Sequence, residues 1–216
     1  MRTFACPSCG AQGAFHSSIS VYAVCAYCQS MVMRQDLDVT AFGKMAALPP
    51  DMSPLQIGTA GVFDGAQFSL QGRVKTGWAD GVWNEWFMIT DAAQKGWLVE
   101  AQGLLACCFE VPMEAEGRLL INRNFVTWKP KPGEQVGAGG ITYTVVDVKK
   151  ATCLGSEGEL PYIANLGRKS LVVDLADADQ GFASLEIYQD EARFYRGRYV
   201  DFDDLALTNL RPLEGW

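Results

Sequence analysis

The sequence predicts a mainly β protein, in which an N-terminal zinc ribbon precedes two tandem, related antiparallel β units with little helix. Two observations support this fold class. Four of the seven cysteines fall in two CxxC pairs near the start of the chain. After a proline-rich segment, turn-forming glycines recur at strand-length intervals between runs of Val, Phe, Trp and Ile, which is typical of an antiparallel barrel or sandwich.

The ribbon is predicted over residues 1–34. Its two CxxC pairs are separated by fifteen residues, a spacing within the range of four-cysteine zinc sites. Each pair turns two thiolates toward one point, and four thiolates complete a tetrahedron. Iron uses the same ligands in rubredoxin-like sites, and a reactive dithiol is a further alternative. The predicted ligands of a structural zinc ion are Cys6, Cys9, Cys25 and Cys28.

Residues 15–24, between the two pairs, alternate loosely between apolar and polar and favour the hairpin of a ribbon. This segment contains His16, the only histidine of the chain. Because four cysteines already fill a tetrahedral site, we expect His16 to be hydrogen-bonded or exposed and not to be a ligand. Four thiolates leave no position for water or substrate, so the expected role of the metal is to stabilise the fold.

Residues 35–54 are predicted to be a linker, because Pro49, Pro50 and Pro54 exclude a helix interior or a central strand. Within it, residues 36–48 carry apolar side chains at spacings that suit a short amphipathic helix or an apolar strap against the body of the protein.

Two related β-rich units are predicted to follow, over residues 53–129 and 130–216. A shift of 74 residues aligns Glu85 with Glu159 and Ile89 with Ile163, which indicates an internal duplication.

Five short segments also carry a resemblance to a known family. They are Ile57-Gly58-Thr59, Gly72-Arg73-Val74, Trp83-Asn84-Glu85-Trp86, Gly96-Trp97-Leu98-Val99-Glu100 and Gly158-Glu159-Leu160-Pro161. With them, most of residues 53–210 resembles a bacterial family of uncharacterised proteins in which a short zinc ribbon precedes a two-part β-rich domain. The resemblance implies the same architecture and supplies no catalytic residues. It also implies a genomic context near polyamine aminopropyltransferases or membrane-associated proteins.

The segment around Glu85 is the strongest candidate for a site. Trp83 and Phe87 share its strand face, so the carboxylate is expected among aromatic side chains, where desolvation raises the pKa and suits a general acid. The alternative is a structural carboxylate, which the aligned Glu159 favours. An aromatic and acidic pocket also suits a cationic ligand. The candidate ligand or partner surface contains Trp83, Glu85, Trp86, Trp97, Glu100 and Glu159.

No catalytic residue is assigned. Cys107 and Cys108 are adjacent, so a strand directs them to opposite faces, and together with Cys153 they are expected to be small buried side chains. Cysteine or serine hydrolase chemistry needs a base, and the single histidine belongs to the ribbon. The glycines at residues 137–140 run into a strand and lack the Lys-Ser/Thr pair of a phosphate-binding loop.

The formal charge of −7 disfavours nucleic acid and anionic lipid as partners. No apolar run is long enough to span a bilayer. Cys6 and Cys9 stand where the apolar region of a signal peptide would begin, and the cysteine usage does not form a disulfide framework, so a cytoplasmic location is expected.

Three functions follow from these observations. The leading hypothesis is a non-catalytic zinc-binding accessory protein whose duplicated β body binds a protein partner. The second is a binding protein for a small cationic ligand such as a polyamine. The third is an enzyme that uses Glu85 or Glu159, which is disfavoured because the sequence offers no histidine base, open metal site or phosphate loop.

Overall fold

The computed structural model describes residues 1–35, 38–48, 51–112, 127–179, 181–189 and 191–213. Over these ranges the protein is almost entirely antiparallel β, which confirms the predicted fold class. A short 3₁₀ helix spans Asp203–Leu205. The described ranges contain no helix that is long and apolar enough to cross a membrane. The strands, in chain order, are β1 (Arg2–Ala5), β2 (Gln12–Phe15), β3 (Tyr22–Val24), β4 (Ser30–Gln35), β5 (Asp38–Lys44), β6 (Ala60–Phe63), β7 (Ala66–Trp78), β8 (Gly81–Thr90), β9 (Lys95–Ala101), β10 (Leu104–Val111), β11 (Gln135–Ala138), β12 (Ile141–Leu160), β13 (Lys169–Ala176), β14 (Gly181–Tyr188) and β15 (Glu191–Val200).

Eight strands form one barrel-like ring in the order β7-β8-β9-β10-β15-β14-β13-β12, and β12 pairs back to β7. The 20 residues of β12 make this closure possible. Its residues 144–152 pair with β13, and its residues 152–158 pair with β7. The ring is not evenly closed, because β12 carries register shifts in both pairings. Strands from both predicted units thus share one ring, while the division into two tandem units stays a prediction.

Two glycines permit the close approach of β7 and β12. A Cβ atom on Gly72 would lie 2.1 Å from the carbonyl oxygen of Glu159, and a Cβ atom on Gly158 would lie 2.4 Å from that of Gln71. Gly158 also has a φ of +70°, in the left-handed region that side chains disfavour. Closure of the ring therefore depends on the absence of side chains at this crossing.

Alternation along the strands sorts the apolar side chains into inner and outer layers. On β8, Phe87 belongs to the inner cluster, whereas Trp86 and Met88 belong to an outer cluster that also contains Leu55 and Leu205. A second outer cluster lies on β12–β15 and is covered by β11. Flanking segments therefore pack against the outer faces of the ring. The protein has hydrophobic clusters outside the ring as well as inside it.

The N-terminal module closes one end of the ring. Its β1 and β2 form a separate hairpin, whereas β3, β4 and β5 extend the large sheet because β3 pairs with the last two residues of β12. Tyr22 and Met45 join the same buried cluster as the inward-facing Phe87 and Trp97. The hydroxyl oxygens of Tyr22 and Ser156 lie 3.2 Å apart, which adds a polar contact across this junction.

Two local predictions are wrong. Residues 15–24 do not form a hairpin, because each cysteine pair lies in the turn of its own hairpin, one between β1 and β2 and the other between β3 and β4. Residues 38–44 form β5, paired with β4, and not an amphipathic helix. The alternative of an apolar strap fits Met45, which is buried. Pro49 and Pro50 lie outside the described residues.

Candidate functional site

The four predicted metal ligands lie together at the tips of two hairpins. Their sulfur atoms all lie within 4.8 Å of one another. The Sγ–Sγ distance is 3.7 Å between Cys6 and Cys28 and 3.8 Å between Cys9 and Cys25. Sulfurs about 2.3 Å from a zinc ion stand about 3.8 Å apart at the corners of a tetrahedron. The four cysteines could therefore hold a metal ion.

The two cysteine turns have the same backbone geometry. The Gly10 N–H donates to the Cys6 carbonyl oxygen at 2.8 Å, and the Gln29 N–H donates to the Cys25 carbonyl oxygen at 3.0 Å. Gly10 and Gln29 both have positive φ, 75° and 60°. Each turn consequently directs its two cysteine side chains toward the same point, as a four-thiolate site requires.

His16 is hydrogen-bonded to the ring, as predicted. Its Nδ1 atom lies 2.5 Å from Glu159 Oε1, and its backbone N–H donates to the same oxygen at 2.8 Å. Glu159 is buried near the end of β12, where that strand pairs with β3. This carboxylate joins the N-terminal module to the ring and is not among the residues that line the ring interior.

The ring encloses a cavity of about 560 Å³, and all eight ring strands contribute to its wall. One end is closed by the N-terminal module, and the mouth lies at the opposite end, beside the turns that follow β7 and β9. The aromatic lining residues are Trp78, Trp83, Trp97, Tyr162, Phe182, Tyr195 and Tyr199. The charged ones are Glu85, Asp147, Lys149, Asp174 and Glu186.

Glu85 lies on the cavity wall, in the middle of β8. Its Oε1 atom accepts a hydrogen bond from Trp83 Nε1 at 2.7 Å, so the two side chains share a strand face, as the sequence predicts. Burial away from bulk water, and then the negative charge of Glu186, raise the pKa of Glu85 to about 7. Near neutral pH this carboxyl group is poised between its protonated and ionised forms.

We expect Glu85→Gln to remove part of the pH dependence of stability. The raised pKa favours the protonated folded state, so this contribution is present below the ordinary pKa of 4.5 and is lost as the pH rises through about 7. One pKa unit corresponds to about 1.4 kcal/mol, so the loss in wild type is at most about 3 kcal/mol. Melting temperatures at about pH 5 and about pH 8.5 will differ less in the variant than in wild type.

The control is Glu191→Gln, which alters an exposed carboxylate at the first position of β15. Its melting temperatures should follow the wild-type pH dependence. An unchanged pH dependence in Glu85→Gln would contradict the assignment of a desolvated carboxyl group at this position.

The other charged groups of the cavity have partners within the chain. Glu186 forms an ion pair with Arg168. Lys149 lies between Asp147 and Asp174, with its Nζ atom 3.3 Å from the Asp174 carboxylate. In contrast, no Lys or Arg of the described ranges forms an ion pair with the β8 carboxylate. That carboxylate is available to a positive group that enters the cavity.

The predicted ligand surface is divided between the two sides of the ring. Trp83 and Trp97 line the cavity. Trp86, however, is 1% exposed in an outer cluster, and its Nε1 atom donates to Glu100 Oε2 at 3.1 Å. The separation has a simple cause, since neighbouring residues of a strand point to opposite faces. Trp86, Glu100 and Glu159 therefore do not join Glu85 in one pocket.

A charged cluster that the sequence did not reveal lies on the outer face of β7. Asp51 accepts hydrogen bonds from Arg73 at 2.7 Å, Lys75 at 2.9 Å and Arg211 at 3.0 Å, and Arg73 and Lys75 are each 5% exposed. Burial alone would raise the pKa of Asp51, but the hydrogen bond from Lys75 and the charge of Arg73 outweigh it and lower the pKa to about 2. This cluster fastens residues 51–55 to the ring.

Sequence reasoning also missed the acidic residues of β13 and β14 that line the cavity. Alternation does place Glu186 on the face opposite Leu185 and Ile187. In the structure Leu185 and Ile187 belong to an outer cluster, and Glu186 faces the ring interior. The alternation of polar and apolar residues was visible in the sequence. The usual rule that the apolar face points inward nevertheless gives the wrong side for β14, because this ring has apolar clusters on its outer faces as well as inside.

Comparison with known proteins gives one match. No curated protein and no solved structure matches the chain. A family described as "Domain of unknown function (DUF4178)" matches residues 56–202, which contain β6 through β15 and hence every ring strand. This confirms the resemblance to an uncharacterised family, and the cysteine cluster lies outside the matched residues. On this match, the chain belongs to the family described as Domain of unknown function (DUF4178).

Proposed function

We propose that this protein is a non-catalytic binding protein that holds a small organic cation inside its ring. The observation that carries the proposal is the cavity of about 560 Å³ with Glu85 on its wall. Pockets for small ligands measure about 300–1,000 Å³ and combine apolar walls with a few placed polar groups. Glu85 supplies such a group: no Lys or Arg of the described ranges forms an ion pair with it, and the nearby Arg168, whose charge lowers its pKa, is paired with Glu186.

The aromatic walls support a cation as the ligand. The electron-rich faces of tryptophan and tyrosine rings attract ammonium groups within about 6 Å. Within the chain itself, the Lys149 ammonium lies 5.7 Å from the centroid of the Trp78 ring, and the Arg168 guanidinium lies 5.3 Å from that of Tyr162. The same rings line the cavity, so an entering ammonium would find similar surfaces.

The cysteine cluster is proposed to bind zinc in a structural role. Four thiolates at tetrahedral separations suit zinc, and they leave no open position for a substrate. The zinc would order the module that closes one end of the cavity. The free, buried thiols of Cys107, Cys108 and Cys153 support a reducing compartment, so we propose a cytoplasmic location.

A protein partner is the second candidate function. Apolar side chains around the mouth favour it, since Leu104 is 64% exposed, Val146 48% and Tyr199 47%. A pull-down with the full chain tests this role, and an empty eluate would count against it.

A thermal-shift series tests the proposed cation site. Spermidine and tryptamine, each at millimolar concentration, are added to wild type, Glu85→Gln and the exposed control Glu191→Gln. We expect at least one amine to raise the melting temperature of wild type and of the control, and to leave that of Glu85→Gln nearly unchanged, because the cavity carboxylate is lost. If neither amine shifts the wild-type protein, the proposed function is wrong.

A further inference from the structure

We propose that the cavity selects a monocation: an amphipathic amine whose single positive head lies at Glu85 and whose apolar body extends to the mouth. This inference rests on the proposed function and narrows its ligand class. It favours an alkyl or aryl monoamine over a polyamine.

The charges of the cavity allow one additional positive group at its inner end. Glu186 is already paired with Arg168, and Asp174 is already 3.3 Å from Lys149. Asp147 also pairs with Lys149, and its side chain is 51% exposed, so water solvates its remaining charge. Arg168 also lowers the pKa of Glu85, so Glu85 and Glu186 share one guanidinium and together keep one negative charge that is buried away from bulk water.

The route from this carboxylate to the mouth is mainly apolar. The turns after β7 and β9 lie at the mouth, and Glu85 lies farther along β8 than Trp83. The wall beside Glu85 contains Val99, which lies opposite it on β9, together with Ala106 and Phe182. At the mouth, Leu104 is exposed to solvent. A hydrocarbon or aromatic body is favoured along such a wall because its burial removes apolar surface from water.

A second ammonium group on the ligand would be unfavourable along this route. It would lose its water against apolar side chains, and burial of an unpaired charge is costly. It would also approach Lys149, whose ammonium stands over the Trp78 ring near the mouth. A polyamine therefore fits the cavity less well than a monoamine of similar length.

Isothermal titration calorimetry of the full, metal-loaded chain at about pH 8.5 tests this selection, since alkylamines remain protonated there and Glu85 is ionised. The probes are tryptamine, the neutral alcohol tryptophol, which has nearly the same shape, and the polycation spermidine. We expect tryptamine to bind at one site, and tryptophol and spermidine to bind at least about tenfold more weakly, since only tryptamine combines one charge with an apolar body.

Two variants test where the two parts of the ligand bind, namely the charged head and the apolar body. Glu85→Gln should weaken tryptamine to the level of tryptophol and leave tryptophol unchanged, whereas Glu191→Gln should change neither. Tyr199→Ala, at the mouth, should weaken the amine and the alcohol by the same factor, because it removes a contact with the apolar body. A Tyr199→Ala effect on neither probe would contradict the placement of the body.

The possible results distinguish failure of the monocation selection from failure of the proposed cation site, on which this inference rests. If spermidine binds at least as tightly as tryptamine and depends on Glu85, the cation site stands and the monocation selection is wrong. If tryptamine and tryptophol bind equally, or if no amine binds, the cation site itself is wrong.

Discussion

Replacement of Cys25 by serine is expected to release the proposed zinc ion and unfold the N-terminal module. Three thiolates and a hydroxyl bind zinc far more weakly than four thiolates, and in small zinc domains the metal supplies on the order of 10 kcal/mol of folding free energy. Metal analysis should fall from one equivalent toward zero. Hydrogen exchange should show loss of protection over residues 1–35, and the melting temperature of the ring should decrease because Tyr22 no longer closes its end.

Cys153→Ala is the matched control, because Cys153 is a buried free thiol outside the metal cluster. That variant should keep its metal while losing a little stability from the smaller side chain. Chelation of the metal in wild type should reproduce the Cys25→Ser exchange pattern. A full equivalent of metal in purified Cys25→Ser would rule out the four-thiolate site.

Asp51→Ala is expected to destabilise the ring by about 3–5 kcal/mol, the usual cost of removing one partner from a buried ion pair. The substitution leaves Arg73 and Lys75, each 5% exposed, without the carboxylate that both contact. Arg73 retains Glu157, whose Oε1 atom lies 2.8 Å from its Nε atom. Lys75 has no other carboxylate among its ion pairs in the described ranges. Urea unfolding measures the difference.

The destabilisation caused by Asp51→Ala should depend on pH, because the pKa of Asp51 is lowered in the folded protein. The ionised carboxylate stabilises the folded protein above the ordinary pKa of 3.8, and this contribution is lost as the pH falls through about 2. Wild type and Asp51→Ala should therefore differ less in stability at acid pH than at neutral pH. Asp51→Asn, which keeps an acceptor oxygen without the charge, should lie between them. Equal stability of wild type and Asp51→Ala at neutral pH would show that the cluster contributes nothing.

Local patterns in the sequence predicted local features well. The CxxC spacing identified four sulfurs that the fold brings within 4.8 Å. The period of two placed Trp83 and Glu85 on one face, and placed Cys107 and Cys108 in different clusters. Each CxxC pair lies within one turn and each alternating pair within one strand, so the backbone geometry of that element determines where the two side chains point.

Features built across long separations were not predictable in this way. Arg211 reaches Asp51 over 160 residues, and no periodicity connects them. The aligned pair Glu85 and Glu159 shows the same limit, because one lines the cavity and the other contacts His16. An alignment compares sequence positions, whereas the surroundings of each carboxylate come from strands elsewhere in the chain. For the same reason, the sequence alone did not predict that the face of β14 with the acidic side chain points into the ring.

The shared strand β12 sets the order in which the chain can fold during synthesis. Tyr22 contacts Ser156, which follows it by 134 residues, and residues 72–77 of β7 gain their second neighbouring strand only when β12 is made. At about 5–20 residues per second, ribosomes need roughly 7–27 s to make that interval. During this interval the two cysteine hairpins can form, while the edge of β3, and later that of β7, remains unpaired. The strands that are synthesised last therefore cover the unpaired edges of the strands that are synthesised first, and so prevent those edges from pairing with other nascent chains.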